Sequence, residues 1–331
     1  MKISQIGGEA ALIKLIEQRY GGSFNDLALG IGDDAALIRS GDKLLIVTTD
    51  LLIENTHFRL DINEPYLVGW KSAAVNISDV AAMGGSPTYS FVSIGLPDVE
   101  VEVVEQIYDG LSDACRAFGS VIAGGDTVSS SAGIVINVAQ LGEVEPDKAI
   151  KRSGAKPGDA IIVTNTLGDS RAGLEMLLKF GLAESRRLSE FIVERHLKPE
   201  PRLSEARAAA STGAAHAMMD LSDGLVSDLG KLCAASGVGA KINIDALPIS
   251  QDLHIAAARL DCDPIELAAG GGEDYELLIT SASADAAKII RAVREAGSDA
   301  RVIGEICEGT KAIFTSATGV EREIPPGWQH F

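Results

Sequence analysis

Asn76-Ile77-Ser78-Asp79-Val80-Ala81-Ala82-Met83-Gly84-Gly85 decides the fold, and it reads as the end of a helix that begins near Pro65. Trp70, Ala73, Ala74, Ile77, Val80 and Ala81 recur at i, i+3, i+4 and i+7, one apolar helical stripe. Gly84-Gly85 followed by Pro87 is a helix stop. Ser72, Asn76, Asp79 and Met83 fall together on a second face, away from the stripe. A solvent face would carry Lys and Glu, yet Asp79 is the only charge between Lys71 and Asp98. The helix is therefore expected to be covered on both sides, with Asp79 in a sheltered place. A buried carboxylate pairs, protonates or binds a metal, and a hydrogen bond to a neighbouring loop would also satisfy it. The rest of the chain decides between these, because it supplies more acids of the same kind and few bases to pair with them.

The length, 331 residues, suggests about two domains. At 46% hydrophobic and 23% charged the composition is that of a globular protein. A net charge of −18 argues against nucleic acid and anionic membranes as partners, and clustered metal-binding carboxylates would contribute to it. Cys115, Cys233, Cys262 and Cys307 are scattered without a CxxC, so neither a zinc site nor a disulfide framework is indicated, and a reduced, cytoplasmic protein fits. Ala10–Tyr20 reads as an amphipathic helix, not as a signal peptide. Val80–Pro97 lacks charge, but Gly84-Gly85-Ser86-Pro87 breaks it, so no membrane span is expected there.

Leu27–Ile38 contains Gly30-x-Gly32-x-x-Ala35, a formal dinucleotide fingerprint. Two acids, Asp33 and Asp34, stand where a pyrophosphate would approach, so the segment reads instead as two short strands around an acidic turn. Leu44–Asp50 is a strand ending in Thr48-Thr49-Asp50, a trio that suits a hard cation or an ordinary turn. Thr88–Leu96 reads as a strand, Val101–Phe118 as an amphipathic helix, Val121–Thr127 as a strand ending in Gly124-Gly125-Asp126-Thr127, and Ile134–Leu141 as a further strand. This alternation indicates an α/β domain. Lys148–Asp159 is turn-rich and holds the densest basic cluster. It is the expected boundary, dividing the chain into 1–148 and 149–331, and it reads either as a solvated linker or as a phosphate clamp with Arg152 as the candidate. The second half continues with a strand at Ala160–Thr164, a helix over Thr166–Phe180 with Gly181 at its end, an approach to paired carboxylates in Asp220-Leu221-Ser222-Asp223, a helix through Cys233 and a strand at Lys241–Asp245. Gly270-Gly271-Gly272-Glu273-Asp274-Tyr275-Glu276 then leads into a last strand.

Asp34, Asp50, Asp79, Asp126, Asp220 and Asp223 share one setting: the end of an apolar strand or a sheltered helix, often beside Gly, Ser or Thr, without matched Lys or Arg nearby. Six such acids point to several divalent cations sharing oxygen ligands, and Mg²⁺ prefers a few carboxylates plus substrate phosphates. There is no GxxxxGK[ST], no GxSxG and no HExxH, and the five histidines have no metal-ligand spacing. Phosphoryl transfer needs positioning and charge neutralisation more than a protein nucleophile.

These motifs together resemble the bacterial thiamine-phosphate kinase family, of the aminoimidazole-ribotide synthetase and selenophosphate synthetase superfamily. The resemblance rests on Gly30–Ala35, Thr49-Asp50, Asn55–Phe58, Asn76–Gly84, Gly124–Thr127, Arg152–Asp159, Asp220–Leu225 and Gly271–Leu277, in the family's order over nearly the whole chain. It implies a two-domain α/β (α+β) fold whose N-terminal mixed sheet forms a homodimer through its strands. The implied reaction is ATP-dependent phosphorylation of thiamine monophosphate to thiamine diphosphate, by direct in-line transfer with several Mg²⁺ and no protein nucleophile. Carried over by motif, Asp34, Thr48, Thr49, Asp50, Asp79, Asp126, Asp220 and Asp223 are metal ligands, with Asp50, Asp79 and Asp126 the most critical. Phe118, where the family has Tyr, Gly125, Arg152 and Ser222 contact ATP; His57, Glu273 and Trp328 meet the thiamine phosphate. The alternatives are another ATP-using member of the superfamily and a non-catalytic Mg-nucleotide sensor. A first cysteine as late as Cys115 speaks against the selenide enzyme, and a last residue of Phe331 against the hydrogenase-maturation relative.

Overall fold

Apolar residues at every second position build the first sheet. The computed structural model describes residues 2–6, 8–325 and 327. The sheet holds β1 (Leu27–Leu29), β2 (Ala36–Ser40), β3 (Lys43–Ile53), β4 (Ser86–Leu96), β5 (Val121–Ser129) and β6 (Val135–Val144), in the spatial order β1-β2-β3-β6-β4-β5. In β6 buried and half-buried positions alternate along the whole strand, the pattern of a sheet with one packed face. Neighbours are antiparallel except β4 and β5, which are joined through a helix and run parallel. The helices of this half are α1 (Ile3–Ile6), α2 (Gly8–Tyr20), α3 (Pro65–Ala82) and α4 (Val101–Ala117). Helices α3 and α4 cover one face of the sheet. The other face is open, with Leu51, Tyr89, Phe91, Val121 and Val128 exposed on it.

The second sheet holds β7 (Asp159–Thr164), β8 (Ala215–Asp220), β9 (Gly239–Asn243), β10 (Leu277–Ala282), β11 (Ala300–Cys307) and β12 (Ala312–Thr315), in the order β12-β9-β11-β7-β10-β8. Its neighbours are antiparallel except β12 and β9. Strand β7 is buried at every position because both faces are covered, which is why it reads as a continuous apolar run. Around this sheet lie α5 (Asp169–Leu188), α6 (Glu190–Leu197), α7 (Leu203–Ser211), α8 (Leu225–Ser236), α9 (Gln251–Leu260), α10 (Pro264–Gly270) and α11 (Ala286–Glu295). The expected stop at Gly181 is a kink: Gly181 leaves helical geometry (φ 72°, ψ 170°), and the chain then resumes the helix to Leu188.

Helix α3 joins the two halves. Every residue from Leu67 to Ala82 is buried except Asp79, because the helix packs on β3, β4 and β6 on one side and on α6, α7 and β8 on the other. This is the two-sided cover that the missing solvent face demanded. The helix ends as a Schellman-type turn: Gly84 takes φ 73°, and the Gly85 N–H donates to the Val80 carbonyl at 3.0 Å. A Cβ at Gly84 would lie 2.7 Å from the Lys148 carbonyl oxygen, so the turn is glycine for space as well as for φ.

Candidate active site

Three carboxylates converge where α3 meets both sheets. Asp34 sits in the β1–β2 turn, Asp79 on α3 and Asp220 at the end of β8, and each offers an oxygen within 4.8 Å of the others. Asp50, on β3, stands beside them: its N–H donates to Asn76 Oδ1 at 2.9 Å, which ties the strand end to α3. The Thr48 hydroxyl donates to Asp79, and the Ser78 hydroxyl donates to Asp220 Oδ2 at 2.6 Å across the two halves. Burial, and then the charges of Asp50, Asp220 and Asp34, push Asp79 well above the usual carboxylate range. Burial followed by Asp34 does the same to Asp220, and burial with Asp223 pushes Asp50 up to about 6. Oδ2 of Asp34 and Nε of Arg152 are buried without a hydrogen-bond partner. Crowded carboxylates and an unpaired oxygen suit a hard divalent cation, so the residues present fit the magnesium that the sequence implies.

The expectation that these acids lack basic partners is corrected by the structure. Arg152 Nη2 is paired with Asp34 Oδ1, and the Arg152 N–H donates to the Asp33 carboxylate at 3.1 Å. Lys231, on α8, pairs with Asp223 and, at 2.7 Å, with Asp228. Asp34 still has a raised pKa, because burial outweighs Arg152.

The cluster opens into a cavity of about 480 Å³. Lys71, Val75 and Asp79 line it from α3 at i, i+4 and i+8, a single stripe of the helix. Opposite them stand His57, Ser222 and Glu273. His57 Nδ1 accepts from the Ile53 N–H at 3.0 Å. The Glu273 loop is laced to the Asp220–Gly224 loop: the Glu273 N–H donates to the Ser222 carbonyl at 2.7 Å and the Tyr275 N–H to the Leu221 carbonyl at 3.0 Å. Both Glu273 and Tyr275 hold positive φ, 64° and 51°, a costly conformation for such residues that the lacing sustains. The Glu273 carboxylate accepts from Lys71 Nζ at 2.9 Å and lies 3.2 Å from His196 Nδ1. Burial pulls His196 down to about 3, so it is neutral.

Asp34, Thr48, Asp50, Asp79, Asp220, Asp223, Arg152, Ser222, His57 and Glu273 thus come together. Thr49, Asp126 and Phe118 do not join them within one chain. Thr49 faces the open side of the sheet, where Asn137 Nδ2 donates to its hydroxyl at 2.8 Å. Asp126 is exposed on the edge strand β5, three strand spacings from β3, roughly 14 Å. Phe118 packs edge-on against Trp70, ring centroids 5.9 Å apart. Gly125 is glycine because a Cβ there would lie 1.8 Å from the Val92 carbonyl oxygen. Trp328 lies outside the described residues. The sequence reading missed Lys71, His196, Ser78 and Lys231 as parts of this site. Lys71 carried a signal as the one cation on a helix stripe whose other charge is Asp79, and Lys231 as a cation one helical turn after Asp228.

Residues 32–144 match the model of the AIR synthase related protein, N-terminal domain, and residues 156–316 that of its C-terminal domain. The thiamine-monophosphate kinase of Aquifex aeolicus is 38% identical over 335 residues, covering all of both chains. That of Salmonella typhimurium is 37% identical, covering 98% of each, and that of Mycobacterium tuberculosis 34%, covering 99% of this chain and 93% of the other. The solved structure of AaThiL complexed with AMPPCP and TMP superposes with a TM-score of 0.86 at 37% identity, over 100% of this chain and 99% of that one. The hydrogenase maturation protein HypE in complex with ATP shares the fold at 20% identity, with a TM-score of 0.68. By two domain matches and full-length likeness to these enzymes, the chain belongs to the thiamine-monophosphate kinase family.

Proposed function

We propose that the chain phosphorylates thiamine monophosphate at the expense of ATP, giving thiamine diphosphate and ADP. The observation that carries this reading is the cavity, with buried carboxylates at one end of an α3 stripe and a Lys–Glu pair at the other. An oxygen of the acceptor's phosphate attacks the γ-phosphorus of ATP in line, a new P–O bond forms, the bond to the β,γ-bridging oxygen breaks, and that oxygen leaves with its electron pair on ADP. A phosphate monoester has a second pKa of about 6, so the acceptor is already an anion at neutral pH and needs no base to activate it. This suits a site without a protein nucleophile.

Asp34, Asp50, Asp79 and Asp220, with Thr48, would hold magnesium, which supplies charge neutralisation for the polyphosphate when bound. Asp223, Thr49 and Asp126 complete our assignment of metal ligands. Arg152 meets the nucleotide phosphates, with Ser222, Gly125 and Phe118 as the other ATP contacts, while His57, Glu273 and Trp328 take the thiamine moiety. The protein works as a cytoplasmic homodimer, with the open face of the first sheet as the contact. The exposed Tyr89, Phe91 and Val128 support that reading, and it would bring Asp126 and Thr49, on the same face, against the second protomer. The two functional halves divide at residues 148 and 149.

A coupled assay of ADP release tests the reaction. ADP should appear with thiamine monophosphate and not with unphosphorylated thiamine or without acceptor. ADP release that ignores the acceptor, or that follows another acceptor, would overturn the assignment.

A further inference from the structure

Lys71 is an unusual residue to find where it is. Its side chain is 3% exposed, on the helix stripe whose other end carries Asp79 to the acidic cluster. Burying a lysine is unfavourable unless its charge is matched, and among the described residues the match is Glu273, 2.9 Å away. The two belong to different halves of the molecule, 202 residues apart in sequence. Two contacts to the Glu273 carboxylate fall on the same atom: Oε2 accepts from Lys71 Nζ and lies 3.2 Å from His196 Nδ1. His196 is itself fixed, with Nδ1 3.1 Å from the Ser170 hydroxyl. Oε1 takes part in neither contact, the nearby His57 adds its charge to the carboxylate's surroundings, and the Glu273 side chain is 30% exposed and lines the cavity. The carboxylate is held ionised and fixed through one oxygen, which leaves Oε1 outside the Lys71 and His196 contacts on a side chain that lines the cavity.

A carboxylate oxygen in a pocket reads a hydrogen-bond donor. The acceptor molecule carries one at the end remote from its phosphate, the amino group of its aminopyrimidine ring. The spacing suits that placement: Asp79 and Lys71 are eight residues apart on one helix, about 12 Å at 1.5 Å per residue.

Resting on the reaction assigned above, we infer that Lys71 is a positioning residue that presents Glu273 Oε1 to the exocyclic amino group of the acceptor's pyrimidine, and that this contact makes the enzyme select an aminopyrimidine over an oxopyrimidine. A site built around a donor rejects the analogue that lacks it, because its own polar group is left unpaired. Lys71 does not touch the substrate; it acts through Glu273. His196, buried, stands 3.2 Å from the same Oε2 that accepts from Lys71.

The test compares thiamine monophosphate with its 4′-oxo analogue, oxythiamine monophosphate, as acceptors for the wild type, Lys71→Met, Lys71→Arg and Glu273→Gln. The wild type should favour the amino form at least tenfold in kcat/KM. In Lys71→Met that preference should fall at least fivefold, through a raised KM for thiamine monophosphate, while the KM for ATP stays within twofold. Lys71→Arg should keep most of the preference, and Glu273→Gln should lose most of it. A preference unchanged in both Lys71→Met and Glu273→Gln, with the two acceptors declining together, would reduce the pair to packing and overturn the inference. So would a wild type that does not distinguish the two acceptors. If Lys71→Met fails to fold, the half-exposed Glu273→Gln carries the same comparison. A wild type inactive on thiamine monophosphate overturns the assigned reaction itself, and that result is read before any variant is made.

Discussion

Asp79 combines a chemical demand with a structural cost. Its carboxylate is crowded by Asp50, Asp220 and Asp34 and held by one threonine hydroxyl, so its charge costs the fold more than it contributes. Asp79→Asn keeps the shape and an acceptor for Thr48. It should lower kcat at least 100-fold, on the order of 3 kcal/mol of transition-state stabilisation, while raising the melting temperature of the metal-free protein. A variant with wild-type turnover at limiting Mg²⁺ would remove Asp79 from the cation site. At Arg152 the guanidinium already has one partner, Asp34, and an unused Nε. Arg152→Lys keeps the ion pair and loses the fork, at a cost of about 1–3 kcal/mol in ATP binding. Steady-state KM for ATP reads this directly, and an unchanged value would return Arg152 to a purely structural partner of Asp34. His196 gives a pH prediction with a fixed sign. Its folded pKa, about 3, lies below the ordinary 6.5, so its stability contribution is present above pH 6.5 and is lost as pH falls. Between pH 6.5 and 5.5 that loss is about 1 kcal/mol. The difference in unfolding free energy from urea titration between the wild type and His196→Asn should shrink by that amount over this range; a pH-independent difference would mean that His196 titrates normally.

At the scale of elements, α3 was legible because its lack of a solvent face is itself a pattern. Trp70 to Ala82 with one carboxylate is not a sequence that can lie on a surface, and Gly84-Gly85 fixes its end. The acidic cluster was legible for the same reason: Asp34, Asp50 and Asp220 follow apolar stretches and Asp79 interrupts a sheltered helix, where a charge needs an explanation. Their counter-ions were not legible. Arg152 meets Asp34 from 118 residues away and Lys71 meets Glu273 from 202, and no local period encodes a pairing that only the docking of two sheets creates. Lys231 was within reach, since it follows Asp228 by one helical turn on α8. The contact between α3 and α4 was equally hidden, although the glycines that permit it are plain. A Cβ on Gly69 would lie 1.9 Å from the Ile107 carbonyl oxygen, and one on Gly110 would lie 1.8 Å from that of Tyr66. The helices touch backbone to backbone there. Gly110→Ala should force them apart and destabilise the protein by about 1–3 kcal/mol, seen as a lower urea midpoint. An unchanged midpoint would show that the crossing has slack.

For the whole molecule, the open face of the first sheet sets the next prediction. Phe91 is 40% exposed and Tyr89 52% on strand β4, an apolar surface of the sort that marks an interface. Phe91→Asp should convert a dimer into a monomer in light-scattering chromatography and lower activity with it, through loss of Asp126 and Thr49 from the partner's site. A monomeric wild type of full activity would refute this assembly. Helix α3 has one more consequence at this scale. It carries Asp79 against Asp220 and Lys71 against Glu273, so under the proposed placement of the acceptor a single rigid rod spans the interval between the reacting phosphate and the far ring. Such a rod is a ruler. It measures the reach between phosphate and ring, and an acceptor whose linker is one methylene shorter or longer would engage either end of the gauge but not both at once.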